Sequence, residues 1–428
     1  MKKLLALVLC LAMLFGLTAC GNSAENTTSN AGEDTATGMS ESPLAAPEIK
    51  ADYTVKDDFK IGFIFLHDEK STYDLNFINA ANSVTKALGL KDSQVVMKTN
   101  VPEGNDCYLA AKDLVNQGCD VIFADSFGHE DFMIQAAKEF PDVQFCHATG
   151  TKAHTAGVKN FHNAFASIYE GRYLAGVAAG MKLNEMIDKG EIKAEEAKMG
   201  YVGAYTYAEV ISGYTSFFLG ARSVCPSVTM DVQFTGSWFD VTEEKNAAVA
   251  LINKGCKLIS QHADSMGAPS ACEDAGVPNI SYNGSTYESC PETFIVSSAI
   301  NWAPYFNYII GCVNTGKEIA ADWCGGIAEG SVVLTGINQD VAAKDTLSTI
   351  KTKIEEFKAG TLKVFDTANF KVDGAALAAD YKADVDTDEK FEKDTVVVEN
   401  GIFLESDKRS APYFDVRIDG ITLLNEKY

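Results

Sequence analysis

Apolar residues along this chain follow two alternating patterns: short continuous runs, and longer stretches with helical spacing. The run from Lys60 to Leu66 has the continuity of a strand buried on both faces. After a polar loop from His67 to Tyr73, the residues Phe77, Ala81, Val84 and Leu88 recur at helical spacing, which predicts a helix that stops at Gly89. Strand-like runs follow at Val95 to Met97, Val121 to Ala124 and Val143 to Cys146. They enclose helices near Cys107 to Asn116 and Phe132 to Glu139. This switching of period is that of a βαβ series.

A second series starts after the small-residue run Tyr173 to Gly180, which predicts a helix that packs closely on a neighbour; the charged stretch Lys182 to Lys198 reads as an exposed excursion. Strands are expected at Met199 to Tyr205, Val228 to Phe234, Lys257 to Ser260 and Asn279 to Tyr282. Helices are expected at Ala208 to Ala221, after Trp238, and at Gly267 to Ala275. Beyond the strand Phe294 to Ser298, Pro304 suits the first turn of a helix reaching about Thr315. The fold class is therefore α/β, with two Rossmann-like lobes and a cleft between them. The expected division is 58–165 for the first lobe, 166–289 for the second, and 290–428 for hinge crossings and C-terminal segments shared between the lobes, part of which returns to the first. Val396 to Val398 and Gly401 to Leu404 have no assigned place.

The N-terminus changes the picture. Lys2 and Lys3, the apolar run Leu4 to Leu17 and the small residues after it read as an export signal over 1–19. Leu17-Thr18-Ala19-Cys20 has the form of a lipobox, with Cys20 the lipidated residue, and 20–57 reads as a flexible tether. These features place the protein on the extracytoplasmic face of the cell membrane, held by lipid. A formal charge of −23 argues against nucleic acid as a partner. At 46% apolar and 10% aromatic, the chain can build real cores. Past the leader and Cys20, the cysteines show no CxxC spacing and sit in apolar surroundings, so most are expected free and buried.

Candidate chemistry falls at the turns that end strands, where parallel sheets place ligands. The clusters are Ser71-Thr72-Tyr73-Asp74, Asp125-Ser126-Phe127-Gly128, Trp238-Phe239-Asp240, His262-Ala263-Asp264-Ser265 and Asn301-Trp302. Their rings can sandwich a planar molecule, and their carboxylates and amides can fix its edge. Each cluster also has a purely structural reading. Ser71 and Asp74 form a capping box, Phe127, Trp238 and Phe239 suit a core, Asp240 and Asn301 are good N-caps, and His262 with Asp264 makes a hydrogen-bonded pair. No third ligand accompanies that pair, so no metal is expected, and no cofactor. The chain has no GxSxG elbow, HExxH, Walker loop or GxGxxG after the first strand, so it is not expected to be an enzyme. If it did act on nucleosides, Asp74, Asp264 and His262 would be the acid-base candidates.

These clusters resemble the basic membrane protein family of bacterial lipoproteins, the substrate-binding components of nucleoside ABC transporters. The residues that carry the resemblance are Ser126-Phe127-Gly128, Ser237-Trp238-Phe239-Asp240, Gln261-His262-Ala263-Asp264-Ser265 and Asn301-Trp302-Ala303-Pro304-Tyr305, within a likeness running from about Lys60 to Thr335. The resemblance implies the periplasmic-binding-protein type I fold, with a purine nucleoside or nucleobase as ligand and the permease and ATPase subunits of an ABC importer as partners. It also implies a monomer held at the membrane by its lipid. By position, Tyr73 and Trp238 would clamp the base and Asp74 would read its edge. A family aspartate that binds ribose falls at Asn283 and a family lysine at Asn301, departures that leave a free base or a different nucleoside open. The residues expected to touch ligand are Tyr73, Asp74, Ser126, Phe127, Glu209, Trp238, Phe239, Asp264, Asn283, Asn301 and Trp302. A receptor for another polar ligand such as a sugar, and a sensory lipoprotein, remain rival readings.

Overall fold

The computed structural model describes residues 37–387 and 390–426, so the leader and Cys20 lie outside the described residues. The first lobe begins with β1 (Ile61–Ile64), every residue of which is buried. It continues through α1 (Thr72–Ala87), β2 (Val95–Lys98), α2 (Asn105–Asn116), β3 (Val121–Ala124), α3 (Glu130–Glu139), β4 (Gln144–Ala148) and β5 (Phe161–Ala166). Local chemistry sets the helix ends. The Asp74 amide donates to Ser71 Oγ at 3.2 Å to start α1, and Gly89, at φ +69°, follows its end.

The second lobe comprises α4 (Tyr169–Asp188), β6 (Lys198–Gly203), α5 (Ala208–Val224), β7 (Thr229–Phe234), α6 (Val241–Asn253), β8 (Leu258–Gln261), α7 (Gly267–Ala275), β9 (Asn279–Tyr282) and β10 (Phe294–Ile300). After it come α8 (Ala303–Thr315), β11 (Asp322–Gly325), β12 (Val332–Leu334) and α9 (Thr346–Lys358). The C-terminal stretch holds β13 (Lys382–Ala383), β14 (Thr395–Val396), β15 (Val398–Glu399), β16 (Ile402–Phe403) and β17 (Ile421–Leu423).

The first sheet has the order β11-β5-β4-β3-β1-β2 and is parallel throughout. The second has the order β12-β10-β9-β8-β6-β7-β17, with β12 antiparallel to β10. Both are doubly wound, and both reverse strand order beside their first strand, between β1 and β3 and between β6 and β8. Such switch points open a crevice at the strand C-termini. The chain passes between the sheets from β5 to α4, from β10 to α8, and from β11 to β12. Closed-lobe contacts span the cleft: the Thr72 amide and hydroxyl donate to the Asp264 carbonyl at 3.2 and 3.0 Å, and Asn76 Nδ2 donates to Asn283 Oδ1 at 2.9 Å.

In the second lobe, α4 and α5 lie in backbone contact. A Cβ on Gly176 would strike the Phe217 carbonyl, and one on Gly220 would strike that of Tyr173. This is the close packing expected of the run Tyr173 to Gly180. The charged stretch after it needs correcting, because α4 continues to Asp188 and buries Leu183, so the exposed excursion is shorter than Lys182 to Lys198.

Residues 37–57, expected as part of a flexible tether, are packed on the body. The Ser40 amide donates to the Ile337 carbonyl, Leu44 is buried, and the Tyr53 hydroxyl donates to the Asn307 carbonyl at 2.9 Å. Isolated apolar residues without a period anchor this stretch, which is why no pattern announced it. The C-terminal stretch touches both lobes. Ser410 donates to Asp322 Oδ1 beside the first sheet, and Glu405 accepts from Ser212 of α5. The nine cysteines from Cys107 to Cys324 are all free, eight of them buried, as expected.

Candidate ligand site

A cavity sits at the C-terminal ends of both sheets, with about 420 Å³ between its walls, part of it open to solvent. Leu66, His67, Tyr73, Asp74, Ser126, Phe127 and Thr149 line it from the first lobe. Glu209, Trp238, His262, Asp264 and Tyr282 line it from the second. The rings at positions 73 and 238 thus face one space from opposite lobes.

On the first wall, the Tyr73 hydroxyl donates to the Asp125 carbonyl at 2.7 Å and its ring rests edge-on against Phe77 at 4.8 Å. Asp74 Oδ1 accepts the His67 amide at 2.7 Å, and Oδ2 accepts the Ser71 hydroxyl at 2.5 Å and lies 3.4 Å from His67 Nδ1. Burial works to raise the Asp74 pKa, but the hydrogen bonds from His67 and Ser71 outweigh it and hold the carboxyl below its ordinary value. His67 moves the other way. Its hydrogen bond to Asp74 raises its pKa against the effect of burial. Behind them Asp125 is fully buried, and burial, then the neighbouring Asp74 charge, push its pKa well up and favour its protonated form. Thr149 adopts φ +69°, a rare conformation for a β-branched residue and a local strain of about 1–3 kcal/mol at the cavity wall.

The second wall begins with Gly236 at φ +76°, a backbone that favours glycine and lets the chain turn from β7 toward Trp238. The indole rests against Tyr205 at 5.1 Å and Tyr207 at 5.9 Å, and Phe127 meets Tyr207 across the cleft at 5.3 Å. The Asp264 amide donates to the Trp238 carbonyl at 3.0 Å, so one residue joins the indole loop to the Thr72 contact of the opposite lobe. Burial, then the charges of Glu244, Asp74 and Glu209, push the Asp264 carboxyl well above the carboxylate range. Burial also lowers the His262 pKa and favours the neutral ring, with Glu209 opposing at 3.4 Å. Histidines apart, no cationic side chain lines the cavity among the described residues.

Of the residues expected from sequence, Tyr73, Asp74, Ser126, Phe127, Glu209, Trp238 and Asp264 are brought together. The others lie elsewhere. Trp302 is 1% exposed and stacks on Phe77 at 4.4 Å, so it belongs to the first lobe's core. Asn301 accepts the Ala303 amide at 3.2 Å and donates to the Gly330 carbonyl at 2.9 Å, the work of a cap at a crossover. Phe239 packs against His67 at 5.5 Å outside the lining, and Asn283, at φ +62°, spends its side-chain oxygen on Asn76. Sequence reasoning missed Leu66, Thr149 and Tyr282 as lining, and treated His67 only as loop. Their shared signal is position, since they lie at or just beyond the ends of β1, β4 and β9.

The family described as Bmp, ABC transporter substrate-binding protein PnrA-like, matches residues 78–364. The chain belongs to that family. A purine-binding protein of Brucella abortus is 34% identical over 78% of this chain and 90% of its own length. A putative ABC transporter glucose-binding protein, TsgA13, of Haloferax volcanii is also 34% identical, over 55% of this chain and 57% of its own length. Among solved structures, an ABC transporter solute-binding protein of Conexibacter woesei superposes with a TM-score of 0.58 at 19% identity, covering 71% of this chain and 98% of its own. The protein is therefore an ABC transporter substrate-binding protein with the periplasmic-binding-protein type I fold. Such proteins bind small molecules outside the cytoplasm and meet permease components, and theirs is not an enzyme class.

Proposed function

We propose that this protein captures a purine nucleobase or nucleoside between its two lobes and delivers it to a membrane permease, without chemical change to the ligand. The observation that carries this reading is the cavity itself: Tyr73 and Trp238 from opposite lobes line one space together with Asp74, Glu209 and Asp264. Stacked rings add about 0.5–1.5 kcal/mol each beyond area burial, and closure strengthens every polar contact by excluding water. The carboxylates of Asp74 and Glu209, with no Lys or Arg in the lining among the described residues, favour a ligand with N–H or O–H donors and no phosphate. The purine-binding Brucella relative supports the same choice. Asn76 occupies the side-chain oxygen of Asn283, while Asn283 Nδ2 has no partner among the described residues, so this position offers a ligand a donor rather than an acceptor.

A glucose reading has one specific support, the Haloferax relative, and sugars also stack on indole. A thermal-shift panel of purine bases, nucleosides and hexoses separates the two, because only a true ligand raises Tm in proportion to its concentration. A shift with hexoses and none with purines would overturn the purine reading. Cys20 is proposed as the lipid anchor, with the described body as the working receptor and the lobes divided as expected above. A Cys20→Ser variant should then leave the membrane fraction and appear free outside the cell.

A further inference from the structure

Beneath the second wall lies a buried cation that the capture mechanism does not use. Arg172 of α4 is 0% exposed, and among the described residues no carboxylate lies within ion-pairing distance of it. Its Nη2 donates to the Gln261 carbonyl at 2.6 Å and to the Tyr201 hydroxyl. Nε and Nη1 find no acceptor among the described residues, and the guanidinium lies 4.4 Å from the centre of the cavity-lining Tyr282 ring. An isolated buried charge is costly unless something balances it.

The balance runs through a chain of hydrogen bonds. The Tyr201 hydroxyl accepts from Arg172, so its own proton is free to go to His262 Nδ1, 3.2 Å away. That makes Nδ1 an acceptor and puts the neutral ring's proton on Nε2, which faces Glu209 Oε1 at 3.4 Å. Glu209 sits in the first turn of α5, where a negative charge is favoured, and it lines the cavity. Space is reserved for the arrangement. A Cβ on Gly213 would come within 2.7 Å of His262 Nδ1 and 3.4 Å of the Tyr201 hydroxyl.

We infer that Arg172, through Tyr201 and His262, is a positioning residue that fixes Glu209 as a one-way acceptor, and that Glu209 thereby selects ligands presenting an N–H or O–H donor at this wall. This inference rests on the purine reading for its ligands but not for its internal geometry. It has an unusual consequence for Glu209→Gln. Because His262 Nε2 must donate, the amide oxygen has to face the ring and the NH2 has to face the ligand, which reverses the polarity presented. Removing Arg172 lets the Tyr201 hydroxyl turn round and accept from Nδ1–H. His262 Nε2 can then accept from the amide, and the amide oxygen can turn to the ligand.

The experiment has two parts. Long-range 15N–1H correlation spectra of unliganded, histidine-labelled protein at pH 7 should show the His262 proton on Nε2, and Arg172→Met should move part of it to Nδ1. Titration calorimetry with adenine and hypoxanthine should show Glu209→Gln weakening the better binder by about tenfold or more. The double variant Glu209→Gln/Arg172→Met should recover part of that loss. A proton on Nδ1 or an imidazolium in the wild type, or losses that simply add in the double variant, would overturn the relay. The expected tautomer in a protein that binds neither base would sustain the relay and sink the purine reading instead.

Discussion

The two walls of the cavity occupy equivalent places in two similar lobes, at the switch points of two doubly wound sheets, yet they hold their carboxylates by different means. On the first wall Asp74 is held by neighbours in sequence, namely the His67 amide and ring and the Ser71 hydroxyl. On the second, Glu209 is reached from the helix core, by a chain that starts at Arg172 and passes through Tyr201 and His262. The first device is local and can be read from a short stretch of chain. The second is assembled by topology from α4, β6 and the turn after β8. The same fold position therefore constrains where a ligand contact sits but not how it is charged.

The largest expected effect breaks the stacking pair from the second side. Trp238→Ala should weaken ligand binding by about 2–4 kcal/mol while the protein stays folded, because the indole packs on half-buried tyrosines rather than in the core. The matching change on the first wall should behave differently. Tyr73→Ala should weaken binding and also lower Tm, since this ring rests on core Phe77 and its hydroxyl bonds the Asp125 carbonyl. Calorimetry paired with thermal melts reads both. Next, Asp74→Asn should cost about 1–3 kcal/mol of stability by unbalancing a buried, multiply bonded carboxylate. It should weaken binding as well.

The smallest effects concern pH and the core tryptophan. The folded His67 pKa is raised above 6.5 by its bond to Asp74, so the pair's contribution is fully present below about 6.5 and fades as pH rises through the folded value. At the acid end, Asp74 has a folded pKa below 3.8, and its contribution is lost as pH falls through that lower value. The Tm difference between wild type and His67→Gln should therefore be greatest in mildly acidic buffer and shrink above neutrality. Trp302→Phe should lower Tm without changing ligand affinity, because that ring stacks on Phe77 away from the cavity.

Much of this was legible in the sequence. The alternating periods gave both lobes, and β9, α7 and α8 fall where the pattern put them, because apolar runs and Gly or Pro punctuation act locally. Seven of the expected contact residues share the cavity, since strand-end turns are visible as breaks between periods. Trp302 misled because an aromatic at a helix start reads alike whether it faces ligand or core. The partner that decides, Phe77, is far away in sequence. Arg172 was hidden for a similar reason. Its part of the helix, Gly171 to Gly180, is buried on every side, and nothing local reveals that the Tyr201 hydroxyl and His262 meet it.

The most direct test is titration of ligand-stripped protein with hypoxanthine, adenosine and glucose, following heat and tryptophan fluorescence together. The expected result is saturable binding of a purine compound at micromolar concentration or below, with a fluorescence change that disappears in Trp238→Ala. Saturation by glucose alone, or purine binding that Trp238→Ala leaves intact, would contradict a ligand clamped between the two walls.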